Sequence, residues 1–197
     1  MKPIPYRDTG AEIVFYAALI SFVVLEMRTR LRNVLKREGS SADSGSIVVV
    51  WLSLVVGLGG AFALAGSAHG AEIDSGQWPV FVVGIVLMVG GIVLRQWSVQ
   101  TLGQFFTVDV RIHENQTVVD TGPYRWVRHP SYTGLLITLL GVGLALGNWA
   151  ALALLIVVPT AGVVARIRVE ERALEGALGE RYRRFEATRA RLIPGVW

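Results

Sequence analysis

The 37 residues from His129 to Ala165 contain no Asp, Glu, Lys or Arg, and no Lys or Arg occurs between Arg37 and Arg95. A soluble domain interleaves charge with apolar residues throughout, and about 25% of its residues are charged. Here the figure is 17%, with 52% hydrophobic residues and a mean hydropathy of +0.49. Uncharged runs of this length read as transmembrane helices, each needing roughly 20 apolar residues to cross the hydrocarbon layer. The chain is therefore expected to be an all-α, polytopic membrane protein.

Five apolar segments are legible: Ala11 to Met27, Ile47 to Ala68, Pro79 to Leu94, Tyr132 to Leu146 and Trp149 to Ala165. The first is read as a span rather than a signal peptide, because the Arg-rich run Arg28 to Arg37 follows it in place of a cleavage site. Only Gly147-Asn148 separates the last two segments, which predicts a helical hairpin. The polar linker SSADSGS at 40–46 and the acidic turn around Glu72 and Asp74 join the earlier spans. In the tail, Leu174, Leu178, Tyr182 and Phe185 fall on one face of a 3.6-residue period, so it is expected to be helical. Residues 1–94 then form three N-terminal spans. Residues 95–197 form a catalytic half of loop, hairpin and C-terminal helix, within one integrated membrane domain.

Placing the Arg28–Arg37 loop, the 95–129 segment and the tail on one side gathers 17 of the 19 basic residues there. The positive-inside bias predicts an outer N-terminus and a cytoplasmic C-terminus. It also accounts for the pI near 9.8 without nucleic acid as a partner. Zero cysteines exclude disulfides, thiolate metal sites and a cysteine nucleophile, and three scattered histidines form no metal cluster, so no metal is expected. Gly57-Leu58-Gly59-Gly60 lacks the strand and third glycine of a dinucleotide fingerprint. With Gly84, Gly90, Gly91, Gly141, Gly143 and Gly147 it reads as close helix packing.

Chemistry concentrates in Thr121 to Tyr132 (TGPYRWVRHPSY) and in Arg166-Ile167-Arg168-Val169-Glu170-Glu171. Pro123 and Pro130 mark helix starts, which puts Arg128 and His129 at the N-terminus of the fourth span. That end has a partial positive charge and free N–H groups, suited to an anion. Arg166 and Glu170 share a helix face, four residues apart. Each cluster alone also reads as an interfacial anchor or a surface ion pair. The hairpin, however, folds one beside the other, and polar convergence at membrane depth is a functional signal. Charges that could line an ion path within the spans are expected to be absent.

Leu102-Gly103, Thr121-Gly122-Pro123-Tyr124, Arg128-His129-Pro130-Ser131-Tyr132, Arg166…Glu170-Glu171, Gly179-Glu180-Arg181-Tyr182 and Leu192-Ile193-Pro194-Gly195 together resemble the isoprenylcysteine carboxyl methyltransferase family and the wider membrane methyltransferases around it. The resemblance covers about Leu94 to Val196. It implies methyl transfer from S-adenosylmethionine at the cytoplasmic face. The implied cofactor contacts are Gln116, Thr117, Val118 and Val119, then Tyr124, then His129, Pro130, Ser131 and Tyr132, then Glu170 and Glu171. Gln116 stands where the family usually has His. Arg166 matches the arginine for the substrate carboxylate, and Arg128 an arginine needed for activity. The implied partners are membrane lipids and a lipophilic small molecule or prenylated cysteine. A carboxylate acceptor needs no base at neutral pH; a phenol or thiol would, with His129 the nearby imidazole. A nicotinamide-dependent reductase of the sterol-reductase type and a non-enzymatic membrane scaffold are the competing classes.

Overall fold

The computed structural model describes residues 3–35, 40–41, 45–67, 70–106, 111–112 and 117–197. After a 3-10 turn at Ile4–Tyr6, helices α1 (Thr9–Leu35), α2 (Ser46–Ser67) and α3 (Gln77–Leu102) follow in order. The second half contains α4 (Pro130–Ala145), α5 (Trp149–Leu178) and the short α6 (Glu180–Thr188). Among the described residues the extended pairing between named strands is one two-residue antiparallel ladder, Ser40–Ser41 with Arg111–Ile112. The all-α reading thus holds. Residues such as Ile13, Val24, Leu52, Val55, Val86 and Val93 present apolar side chains outward. An outer surface of that composition suits lipid, not water.

All five apolar segments are helical, but only α1, α2, α3 and α5 are long and apolar enough to cross a membrane. Helix α4 has 16 residues, about 24 Å at 1.5 Å per residue, against a hydrocarbon layer of about 30 Å. Pro130 fixes its start, and the hairpin bend at Gly147, in the left-handed region at φ 60°, fixes its end. Asn148 then opens α5, its side chain accepting the Ala151 N–H at 3.0 Å. Little of α4 meets lipid: Leu135, Leu139 and Val142 are buried between neighbouring helices.

Glycine spacing sets the register that builds the site. A Cβ on Gly84 would lie 2.8 Å from the Gly141 carbonyl oxygen, and one on Gly91 would lie 2.6 Å from that of Gly134. These two contacts, seven residues apart on each helix, lock α3 and α4 together antiparallel. Extending the same register one further turn puts Arg95 opposite Ser131. On α2 and α5, Gly57 meets Pro159 and Ser53 meets Gly162, and extension of that register sets Arg166 level with Val50, from where its long side chain reaches Ser46. Gly59, Gly90 and Gly147 have open space where a Cβ would stand, so close packing is not their role.

Two further expectations change. Helix α3 runs through Arg95 to Leu102, because Arg95 is neutralised in place by Glu26 instead of ending the helix in water. Helix α5 continues past Arg166 to Leu178, so the C-terminal polar helix is largely its extension, bent into α6 at Gly179.

Candidate active site

Where α4, the extension of α5 and α6 converge, an open cavity of about 1340 Å³, mouth included, is bordered by residues from every helix. One part of its wall is polar, with Thr117, Tyr124, Arg128, His129, Ser131, Tyr132, Arg166, Glu170 and Tyr182. Another part is apolar, with Ile47, Val50, Leu54 and Leu135 from α2 and α4.

The centre is a short relay. Arg166 donates from Nε to the Tyr132 hydroxyl at 3.2 Å, and that hydroxyl donates to Glu170 Oε2 at 2.9 Å. Arg166 also donates from one terminal nitrogen to Ser46 Oγ at 2.8 Å, reaching about one turn along α2. Both guanidinium contacts fix the plane of a buried cation at the junction of the polar and apolar walls.

The adjacent glutamates, read from the sequence as one acidic pair, have different environments. Glu171 is 6% exposed at its side chain and sits among three cationic or ionisable partners. Arg191 Nε lies 2.9 Å away, an Arg128 terminal nitrogen 3.2 Å, and His129 Nε2 3.2 Å. Glu186 adds a second carboxylate, 2.6 Å from Arg128. Glu171 is thus consumed by protein contacts and does not border the cavity. Glu170 is 28% exposed, lines the cavity and lies 4.0 Å from His129 Nδ1. The contact between His129 Nε2 and an ionised Glu171 favours a proton on that nitrogen.

The N-terminus of α4 offers fewer free donors than its dipole alone suggests. The C-terminal tail runs beside it, and the Arg128 and His129 N–H groups donate to the Ala190 and Arg191 carbonyls at 2.8 and 3.0 Å. The Tyr132 and Thr133 N–H groups donate to the His129 carbonyl. Pro130 has no N–H to give and lies outside the cavity lining. Three side-chain donors instead stand buried at the wall without a hydrogen-bond partner: Arg128 Nε, the Tyr182 hydroxyl and Trp51 Nε1. Burial pushes the Tyr124 and Tyr182 phenols well above their usual range, so both remain protonated donors at neutral pH.

Most residues expected at a site therefore meet in one place: Thr117, Val118, Val119, Tyr124, Arg128, His129, Ser131, Tyr132, Arg166 and Glu170 all border the cavity. Gln116 lies outside the described residues. Sequence reasoning gave no site role to Tyr182 or Trp51, nor to Glu26, which pairs through both carboxylate oxygens with Arg95. Arg95 in turn donates to Ser131 Oγ at 2.9 Å and to its carbonyl at 3.1 Å. The expectation of no charge within the spans fails at this pair. An acidic residue near the end of an apolar segment was the available signal.

Fold and cavity define an integral membrane protein whose polar site opens at the end of a helical hairpin. Residues 79–181 match the family model described as phospholipid methyltransferase. The chain belongs to that family. It is 28% identical over 188 residues to the protein-S-isoprenylcysteine O-methyltransferase of Schizosaccharomyces pombe, covering 87% of this chain and 78% of that protein. Protein-S-isoprenylcysteine O-methyltransferase A of Arabidopsis thaliana is 31% identical over 122 residues, 61% of this chain and 62% of that one. Among solved structures, the eukaryotic intramembrane Ras methyltransferase ICMT (isoprenylcysteine carboxyl methyltransferase) has the same fold. Its TM-score is 0.61 at 24% identity, and the match covers 74% of this chain and 52% of that one.

Proposed function

We propose that the chain methylates a carboxylate on a lipophilic acceptor, of the prenylated-cysteine kind, using S-adenosylmethionine. The observation that carries this reading is the Arg166–Tyr132–Glu170 relay, which puts a fixed cation and a ligand-facing carboxylate side by side in one cavity. The relatives that carry the name isoprenylcysteine O-methyltransferase support it.

The residues present fit the cofactor. Glu170 matches its ammonium, while Arg128 Nε and the Tyr182 hydroxyl are buried donors lacking an acceptor, as its carboxylate would supply. Tyr124, Val118 and Val119 provide aromatic and apolar surface for the remainder. When bound, the cofactor supplies an activated methyl group on a sulfonium.

Arg166 would hold the acceptor carboxylate with its planar fork. That carboxylate is already ionised at neutral pH, so no residue need take a proton. His129, tied to Glu171, serves to orient rather than as a base. An amine or phenol acceptor would call for the reverse, a base and no cation. Catalysis then rests on alignment and exclusion of water, and the apolar wall from α2 would take the tail. The positive-inside bias read from the sequence supports a cytoplasmic site, with the N-terminus outside.

Titration calorimetry of the purified protein tests the cofactor half. S-adenosylhomocysteine is expected to bind the wild type and to bind Glu170→Gln more weakly, while NADPH does not bind. Binding of NADPH in its place would overturn the reading.

A further inference from the structure

Helices α1 and α2 lie outside the motifs that suggest a methyltransferase, yet they complete the cavity with Thr29, Arg30, Val50, Trp51 and Leu54. Two features of this wall have no explanation in the reaction so far. The Trp51 indole N–H is buried with no hydrogen-bond partner. Arg30 lies with its guanidinium carbon 4.5 Å from the centroid of the Trp51 ring, and it makes no ion pair among the described residues.

An indole N–H only donates, and leaving it buried and unpaired is unfavourable. A ligand that enters the cavity is the available source of an acceptor. Trp51 follows Val50, which the Gly57–Pro159 and Ser53–Gly162 contacts set level with Arg166, and both Trp51 and Arg166 border the cavity. The indole therefore borders the cavity at the level of an acceptor carboxylate seated on Arg166. One uncharged donor does not offset the burial of a second ionised group, so a neutral oxygen is the matching chemistry. Arg30, stacked on the ring, restricts its rotation by a cation–π contact.

The geometry points to Trp51, oriented by Arg30, as a specificity-determining residue. It donates to a neutral oxygen, such as an amide carbonyl, a few bonds from the methylated carboxylate. The inference rests on carboxylate methylation as proposed above. It implies that the acceptor is an acylated amphiphile, as a peptide-linked prenylcysteine is, in preference to one bearing the carboxylate alone.

Two probes with the same tail, thioether and carboxylate test it: N-acetyl-S-farnesylcysteine, which has the amide, and S-farnesyl-3-thiopropionate, which lacks it. The wild type is expected to prefer the first by about tenfold in kcat/KM, the range of one net hydrogen bond. Trp51→Phe should lose that preference through a higher KM on the first probe. It should leave the second within about twofold, and S-adenosylhomocysteine affinity unchanged, on the same footing. Arg30→Gln, at an exposed position, should show the same selective loss in smaller degree, and it carries the test if Trp51→Phe does not fold. Equal effects on both probes, or none on the first, would overturn the inference with the carboxylate reading intact. If the wild type binds S-adenosylhomocysteine but methylates neither probe, the carboxylate reading itself fails and takes this inference with it.

Discussion

Substituting the two adjacent glutamates one at a time separates ligand binding from architecture. Glu170→Gln removes a charge that is 28% exposed and has one hydroxyl donor, Tyr132, at 2.9 Å. Little in the protein depends on it. A ligand ammonium that loses this partner forfeits a charge-assisted hydrogen bond of about 1.5–3 kcal/mol, or roughly 10- to 150-fold in affinity. Glu171→Gln acts differently. Its side chain is 6% exposed, pairs with Arg128 and Arg191, and contacts the His129 ring, all within 3.2 Å. Breaking one partner out of a buried ionic cluster costs about 3–5 kcal/mol. For a chain of this size that corresponds to roughly 6–20 °C of melting temperature, at about 2–4 °C per kcal/mol. The paired assay is thermal melting in detergent and calorimetry with S-adenosylhomocysteine. Glu170→Gln should melt within about 2 °C of the wild type and bind weakly, whereas Glu171→Gln should melt early. The reverse pattern, with Glu171→Gln stable and Glu170→Gln destabilised, would refute the division of roles.

The other predictions concern packing, the acceptor and topology. Gly91→Ala should strongly reduce the yield of folded protein, because its Cβ would stand 2.6 Å from the Gly134 carbonyl and the Thr138 backbone nitrogen; Gly90→Ala, with open space, should not, as gel filtration will show. Arg166→Ala should lower kcat/KM for the acceptor at least tenfold, with S-adenosylhomocysteine affinity changed far less; an equal loss of both would contradict its role. In the cysteine-free background, Asp74→Cys should react with an impermeant maleimide from outside whole cells and Arg183→Cys only after lysis. The opposite result would invert the topology.

The membrane class, the hairpin and the meeting of Arg128–Tyr132 with Arg166–Glu171 were legible in the sequence. Charge gaps report exclusion from water, whether in lipid or, as for α4, between helices, and a two-residue bend leaves the chain one way to return. What was not legible depends on register. That Trp51 would join the wall follows only once Gly57–Pro159 fixes how α2 slides against α5, and that Glu26 would reach Arg95 depends on how α1 sits against α3, which no spacing in the sequence sets. The equivalence of Glu170 and Glu171 failed for a related reason. Neighbours on a helix point about 100° apart, and the C-terminal tail that brings Arg191 to Glu171 has no periodic pattern to announce its path. The same tail removes the free N–H groups expected at α4.

Transfer of radiolabelled methyl from S-adenosylmethionine to N-acetyl-S-farnesylcysteine by the purified protein tests the central claim most directly. Carboxylate methylation predicts label that mild base releases as volatile methanol, and that is lost in Arg166→Ala. Base-stable label, or no transfer by protein that binds the cofactor product, would contradict it.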